Sequence, residues 1–160
     1  MKILVDADSC PKPARELVLR RAAKLNIRII FAANHQIPVA MESAKDIPVA
    51  EMEICSNELN SADDRIVELA QSGDLALTRD IPLAKRLLEK DVYVLDDRGR
   101  VFTRNNIKEL LSLRNFTVGL AENGLNFERI SNYSKKDIKT FADSLDRLLT
   151  KIAKIVVSCK

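Results

Sequence analysis

Apolar and polar positions follow two periods along this chain. Short, nearly continuous runs of Ile, Leu, Val and Ala separate longer stretches in which apolar side chains return every three or four residues. Continuous runs suit strands buried on both faces, and the longer period suits helices with one apolar stripe. The pattern predicts strands at 2–6 (KILVD), 27–34 (IRIIFAAN), 50–55 (AEMEIC), 75–78 (LALT) and 92–97 (VYVLDD). Between them lie three predicted helices. Pro11 and Pro13 suit the first turn of one that ARELVLRRAAKL continues, with Leu17, Val18, Arg21 and Leu25 near one stripe. SADDRIVELAQSG (61–73) has Ser61 and Asp64 at capping-box spacing and Gly73 as a stop. DIPLAKRLLEK (80–90) has Asp80 as N-cap and Pro82 in its first turn.

The stretch 35–50 carries two prolines and reads as loop, and RGRVFT (98–103) reads as a turn with a short extension. From about Asn105 the pattern is helical only. Ser134 and Asp137 again have capping-box spacing, and Ile138, Phe141, Leu145, Leu148, Leu149, Ile152, Ile155 and Val156 form one long stripe. Its width suits a core face, with a homodimer contact through the C-terminal helix as the other use. Strands alternating with helices predict an α/β fold, a three-layer α/β/α arrangement around a mostly parallel sheet. The core is expected over about 1–116 and the C-terminal helices over about 105–160, in one domain spanning 1–160. Ligands of such sheets bind at the carboxyl ends of the strands, where the strand order switches.

Composition narrows the class. With 160 residues, 46% of them hydrophobic, the chain can bury a real core. No apolar run approaches the roughly 18 residues of a membrane span. Asp6 and Asp8 interrupt any N-terminal secretion segment, so the expectation is a cytoplasmic protein with no membrane partner. Cys10, Cys55 and Cys159 form no C-x-x-C pair, and one histidine, His35, leaves no zinc spacing. Cys10 precedes a helix start, where a thiolate is favoured, but packing as a small side chain is the simpler role. From Ser131 onward seven Lys/Arg face three Asp/Glu, while the rest of the chain is close to neutral. A basic flank beside an acidic site suits a polyanion; a solvated helix face is the plainer reading.

The acids carry the chemistry. Asp6 ends the first strand, and Asp8, two residues on, is expected on the same face, where the two would repel unless a metal, a shared proton or water offsets them. Asp80 follows LALT by one residue, Asp96 and Asp97 end VYVL, and Asn34 ends IRIIFAA. Asp63 lies one turn before the buried face of its helix, whereas Asp64 is rotated toward solvent. Oxygen ligands of this kind suit Mg²⁺ or Mn²⁺, and such a site supports in-line displacement at phosphorus. Taken singly, each Asp could be only a cap. Arg98, Arg100 and Arg104 surround a turn after a strand end, where guanidinium groups could clamp phosphates. With 4% aromatic residues, base-stacking platforms are scarce.

The segments VDADSCP, ADDRIVELAQSGDLALTRDIPLA and LDDRGRVFTRNNI resemble the YaiI/YqxD family of small bacterial proteins, which has a PIN-like fold. The resemblance runs in order from residue 3 to about 116 and weakly again at KDIKTFADSLDRLL. It implies a Mg²⁺- or Mn²⁺-dependent ribonuclease-like site, since PIN-like domains typically use a small acid cluster. Carried over by position, the acids are Asp6 with Asp8, Asp63 with Asp64 as a possible further ligand, and Asp80, with Thr78 in the T-x-D position. Asn34, Thr78, Arg98, Arg100 and Arg104 would contact substrate. Two departures stand out. Asn60 replaces an acid expected three residues before the A-D-D pair, and a Gly-Gly-Pro-like stretch expected near residue 127 is absent. The expected function is thus phosphodiester hydrolysis in nucleic acid, RNA before DNA.

Two other classes compete. Haloacid-dehalogenase-like phosphatases also begin with a strand ending D-x-D; there Asp6 would be the nucleophile, although VDADSC lacks their usual Thr or Val past the second Asp. A non-catalytic RNA- or protein-binding module would instead use the basic C-terminal region.

Overall fold

The apolar runs do form strands, and a computed structural model describes them within residues 1–37, 50–124 and 132–158. The loop reading over 38–49, the segment near 127 and Cys159 lie outside the described residues. In chain order the elements are β1 (Ile3–Asp6), α1 (Lys12–Lys24), β2 (Ile29–Ala33), β3 (Ala50–Ile54), α2 (Ser61–Leu69), β4 (Leu75–Leu77), α3 (Ile81–Glu89), β5 (Tyr93–Leu95), β6 (Val101–Phe102), α4 (Ile107–Glu122) and α5 (Lys135–Ser158). Every predicted strand and helix is present, most of them a residue or two shorter than the apolar run.

One six-stranded sheet has the order β3-β2-β1-β4-β5-β6. The first five strands are parallel; only β6 returns antiparallel to β5, as the hairpin-like RGRVFT turn requires. Side-chain alternation splits the core in two. Ile3 and Val5 of β1, with Phe31 and Leu77, meet α1 and the Phe141–Leu145–Leu149–Ile152 stripe of α5. Leu4, Ile30, Ala76 and Val94 face the other way, onto Ile66 of α2, Leu83 and Leu87 of α3 and Ile107 of α4. The fold is therefore a three-layer α/β/α arrangement around a mostly parallel sheet.

The C-terminal stripe is largely spent inside this chain: Phe141, Leu145, Leu148, Leu149 and Ile152 are buried, while Ile155 and Val156 are exposed. Gly99 shows how tightly α5 is held. At φ +88° it sits so close to α5 that an added Cβ would lie 2.6 Å from the Thr140 carbonyl oxygen. Ser144 Oγ donates to the Gly99 carbonyl beside it.

Several local signals work as read. Asp80 caps α3 by accepting from the Leu83 amide, Pro82 lies in the first turn, and Ser134 and Asp137 exchange hydrogen bonds before α5. The α2 boundaries differ from the prediction. Asn60, in the left-handed region at φ 63°, is the N-cap without a side-chain bond, and Asp64 pairs with Arg86 instead of closing a capping box. The helix stops at Leu69, before Gly73, because the buried Asp74 carboxylate accepts from the Gln71 amide and from the Lys2 amide and ammonium. These bonds tie the turn to the start of β1 and pull the chain out of the helix.

Candidate functional site at the switch point of the sheet

From β1 the chain runs outward through β2 to β3, then crosses back to β4 on the other side of β1. The β1/β4 boundary is the switch point, where flanking loops diverge and a crevice opens at the carboxyl ends. A cleft of about 580 Å³ lies here, and its walls carry Asp6, Asp8, Asn34, Asp63 and Asp80. Strand ends, a helix start and an N-cap far apart in sequence thus converge.

Asp6 is the floor. It follows Leu4 on the α2-facing side of β1 and is only 5% exposed. Its Oδ2 accepts from Ser9 Oγ at 2.7 Å and from Thr78 Oγ1 at 2.8 Å. Burial raises its pKa above the ordinary value, the two hydroxyl donors pull it back, and Asp8 adds only a minor upward push. Thr78, itself buried, also accepts from the Asp80 amide at 3.0 Å. One threonine thereby links the β1 acid to the turn that presents Asp80.

Asp8 does not share a strand face with Asp6. The strand ends at Asp6 and the chain turns, so the two-residue repeat no longer applies. Asp8 instead accepts from the Asn34 amide at 2.9 Å and lies 3.3 Å from His35 Nδ1, on the rim. The puzzle of adjacent like charges is solved mainly by geometry.

Asp63 is half-buried at the start of α2, and none of the described residues donates a hydrogen bond to its carboxylate. Its pKa is pushed up to about 6, first by burial and then by Asp6 and Asp80, with Arg86 opposing. Asp63 thus feels the charges of Asp6 and Asp80 across the cleft. Asp64 is exposed, paired with Arg86 at 2.8 Å, and off the cleft wall.

The arginines fall differently from expectation. None of Arg98, Arg100 or Arg104 lines the cleft. The amides of Arg98 and Arg100 bind the Asp96 carboxylate to shape the β5–β6 turn, and Arg104 pairs with Asp91 at 2.6 Å. Arg79 and Arg114 line it instead. Arg79 grips the buried Asp97 through two 2.6 Å bonds, so the acids of LDD are structural. Asn34 is on the wall, its Oδ1 accepting from Ser61 Oγ. Ser9, Arg79 and Arg114 escaped the sequence reading. The T-R-D spacing could have flagged Arg79, but nothing local marks Arg114, which reaches the cleft only through the packing of α4. Cys10 is buried in the core, and burial, with Asp97 adding, pushes its thiol up to about 12, so it packs as a neutral side chain.

Asp6, Asp63 and Asp80 offer hard oxygen donors with excess negative charge, the donor set that Mg²⁺ and Mn²⁺ favour. Among the described residues no three acids, histidines or thiols stand close enough to grip one ion together. Mg²⁺ characteristically keeps several waters and takes one or two carboxylates plus substrate phosphates, so these residues fit an ion held that way.

Fold and cleft define a class: an α/β/α protein with an acid-walled site at the strand ends. Residues 4–151 match the family described as "Uncharacterized BCR, YaiI/YqxD family", and the chain belongs to it. It is 46% identical over 154 residues to a "UPF0178 protein" of Treponema denticola, covering 96% of this chain and 95% of that one. A "UPF0178 protein" of Myxococcus xanthus is 44% identical over 154 residues, covering 96% and 97%. One of Treponema pallidum is 42% identical over 155 residues, covering 97% and 85%. No solved structure matches the chain at a significant level. No helix among the described residues is long and apolar enough to cross a membrane.

Proposed function

We propose that the protein is a Mg²⁺- or Mn²⁺-dependent phosphodiesterase acting on nucleic acid. RNA stands ahead of DNA because PIN-like domains, which this chain resembles, are typically ribonucleases. One observation carries the reading. Asp6, Asp63 and Asp80 come from three separate elements to one cleft, where burial first, and then Asp6 and Asp80, raise the pKa of Asp63. Carboxylates gathered in one cleft are costly in a purely structural role.

When bound, a divalent cation would neutralise this charge and stabilise the charge that develops at phosphorus during in-line displacement. The chain's own residues do the rest. Ser9 and Thr78 occupy Asp6 Oδ2 and fix the carboxylate's orientation. The Leu83 amide takes Asp80 Oδ1 and fixes the second acid. Asp63, with no such anchor, can hold or release a proton near neutral pH. Asp8, on the rim, is held by the Asn34 amide and by His35. The phosphatase alternative gains nothing here, since Asp8 is turned toward Asn34 and His35 and not paired with Asp6.

Calorimetric titration with Mn²⁺, alongside cleavage of labelled single-stranded oligonucleotides, tests this reading. Wild type should bind Mn²⁺ and cleave, and Asp6→Asn, Asp63→Asn and Asp80→Asn should each weaken binding and abolish cleavage while remaining folded. Absence of Mn²⁺ binding at millimolar concentration, or cleavage untouched by all three substitutions, would sink it.

A further inference from the structure

The geometry points to Arg114 as the residue that anchors a substrate phosphate beside the acid cleft, making α4 an arm of the binding site. This inference rests on the nucleic-acid reading above. On α4, Ile107 and Leu110 turn inward, one buried and one packed against the α2–α3–α4 core. Arg114 follows at i+7 and i+4 on that same face. Where the stripe calls for another apolar residue, the helix has run past the core edge and over the cleft, and an arginine stands there.

Its charge is unspent. Among the described residues its guanidinium bonds only to the neighbouring Asn115 Oδ1, at 3.5 Å, and no carboxylate pairs with it. The other arginines around the cleft differ: Arg79 is locked to Asp97 and Arg86 to Asp64. A solvated arginine costs a helix nothing on its outer face. On the inner face, opposite four acids it does not pair with, the position makes sense for a third party with negative charge. Guanidinium meets phosphate through parallel donors, a geometry lysine cannot copy. In that reading the cation takes one phosphate at the reaction centre, and Arg114 adds a second contact, to a flanking phosphate, so the site favours a strand over a phosphomonoester.

The test is fluorescence anisotropy with a labelled single strand of about 12 nucleotides, a length within single-strand site sizes. RNA and DNA are used in turn, in Mn²⁺ across a salt series, with cleavage followed in the same samples on gels. Wild type, Arg114→Ala and Arg114→Lys are compared after thermal unfolding shows equal folding. Arg114→Ala should weaken binding about tenfold at low salt. Its slope of log K against log salt should be shallower by about 0.7, one phosphate contact on a single strand. Arg114→Lys should keep the slope and lose part of the affinity. A merely structural arginine would not move the slope. If wild type binds and cleaves while Arg114→Ala matches it in affinity and slope, the anchor is wrong and the hydrolytic reading stands. If binding depends on Arg114 but no cleavage appears, the anchor stands and the hydrolytic reading falls. If wild type binds neither strand, both fall together.

Discussion

Replacing Asp63 by asparagine should make the metal-free protein more stable at neutral pH. Asp63 ionises at about 6 in the folded chain against an ordinary 3.8. An acid whose folded pKa is raised costs folding nothing while it is protonated in both states, below about pH 4. The penalty grows as pH rises toward 6, after which it persists in full. At about 1.4 kcal/mol per pH unit the difference corresponds to about 3 kcal/mol. Asp63 is only half-buried, so solvent screening reduces this to about 1–2 kcal/mol. Asparagine keeps the size and removes the charge, and no hydrogen bond donated to Asp63 is lost among the described residues. For a chain of this length the gain corresponds to a rise of about 3–6 °C in Tm.

Differential scanning calorimetry of wild type and Asp63→Asn in chelator, at about pH 4, 6 and 7.5, reads the effect directly. The gain should be small at the lowest pH, nearly full at the middle one and full at the highest. Adding Mn²⁺ should reverse the order, because the ion stabilises only a cleft that retains its carboxylate. A gain independent of pH, or a loss of stability at pH 7.5 in chelator, would refute the raised pKa of Asp63.

Two further substitutions probe the scaffold. Arg79→Ala should destabilise by about 3 kcal/mol in urea unfolding, because it strands the buried Asp97 carboxylate. Adding Asp97→Asn should recover much of that loss in a double-mutant cycle. Gly99→Ala should cost at least about 2 kcal/mol, since the position combines φ +88° with a Cβ 2.6 Å from the Thr140 carbonyl oxygen. The loss should concentrate in α5, read as faster amide exchange there.

Local signals in the sequence were enough for the elements and much of the site. Continuous apolar runs marked each parallel strand, because a strand covered on both faces has no polar side to show. Asp80 was legible as an N-cap and Asp63 as an acid near a buried helix face, since both depend on spacing of a few residues. The rule that ligands gather at the carboxyl ends of parallel strands then places Asp6, Asp63 and Asp80 on one edge.

The tertiary structure decided what depends on contacts across many residues. Strand periodicity put Asp6 and Asp8 together, but the chain leaves the sheet after Asp6 to begin the crossing to α1, and Asp8 swings to Asn34. Arginines near a strand end looked like a phosphate clamp. Their places were set instead by which acids needed partners: Asp96 drew the amides around Arg98 and Arg100, Asp97 drew Arg79, and Asp91 drew Arg104. Arg114 lies in a helix that reads as ordinary, and only the length by which α4 overruns the core brings it to the cleft. Sequence period records which way a side chain leaves its own element. Which charge meets which across the molecule is set by how the layers pack, and that information is not local.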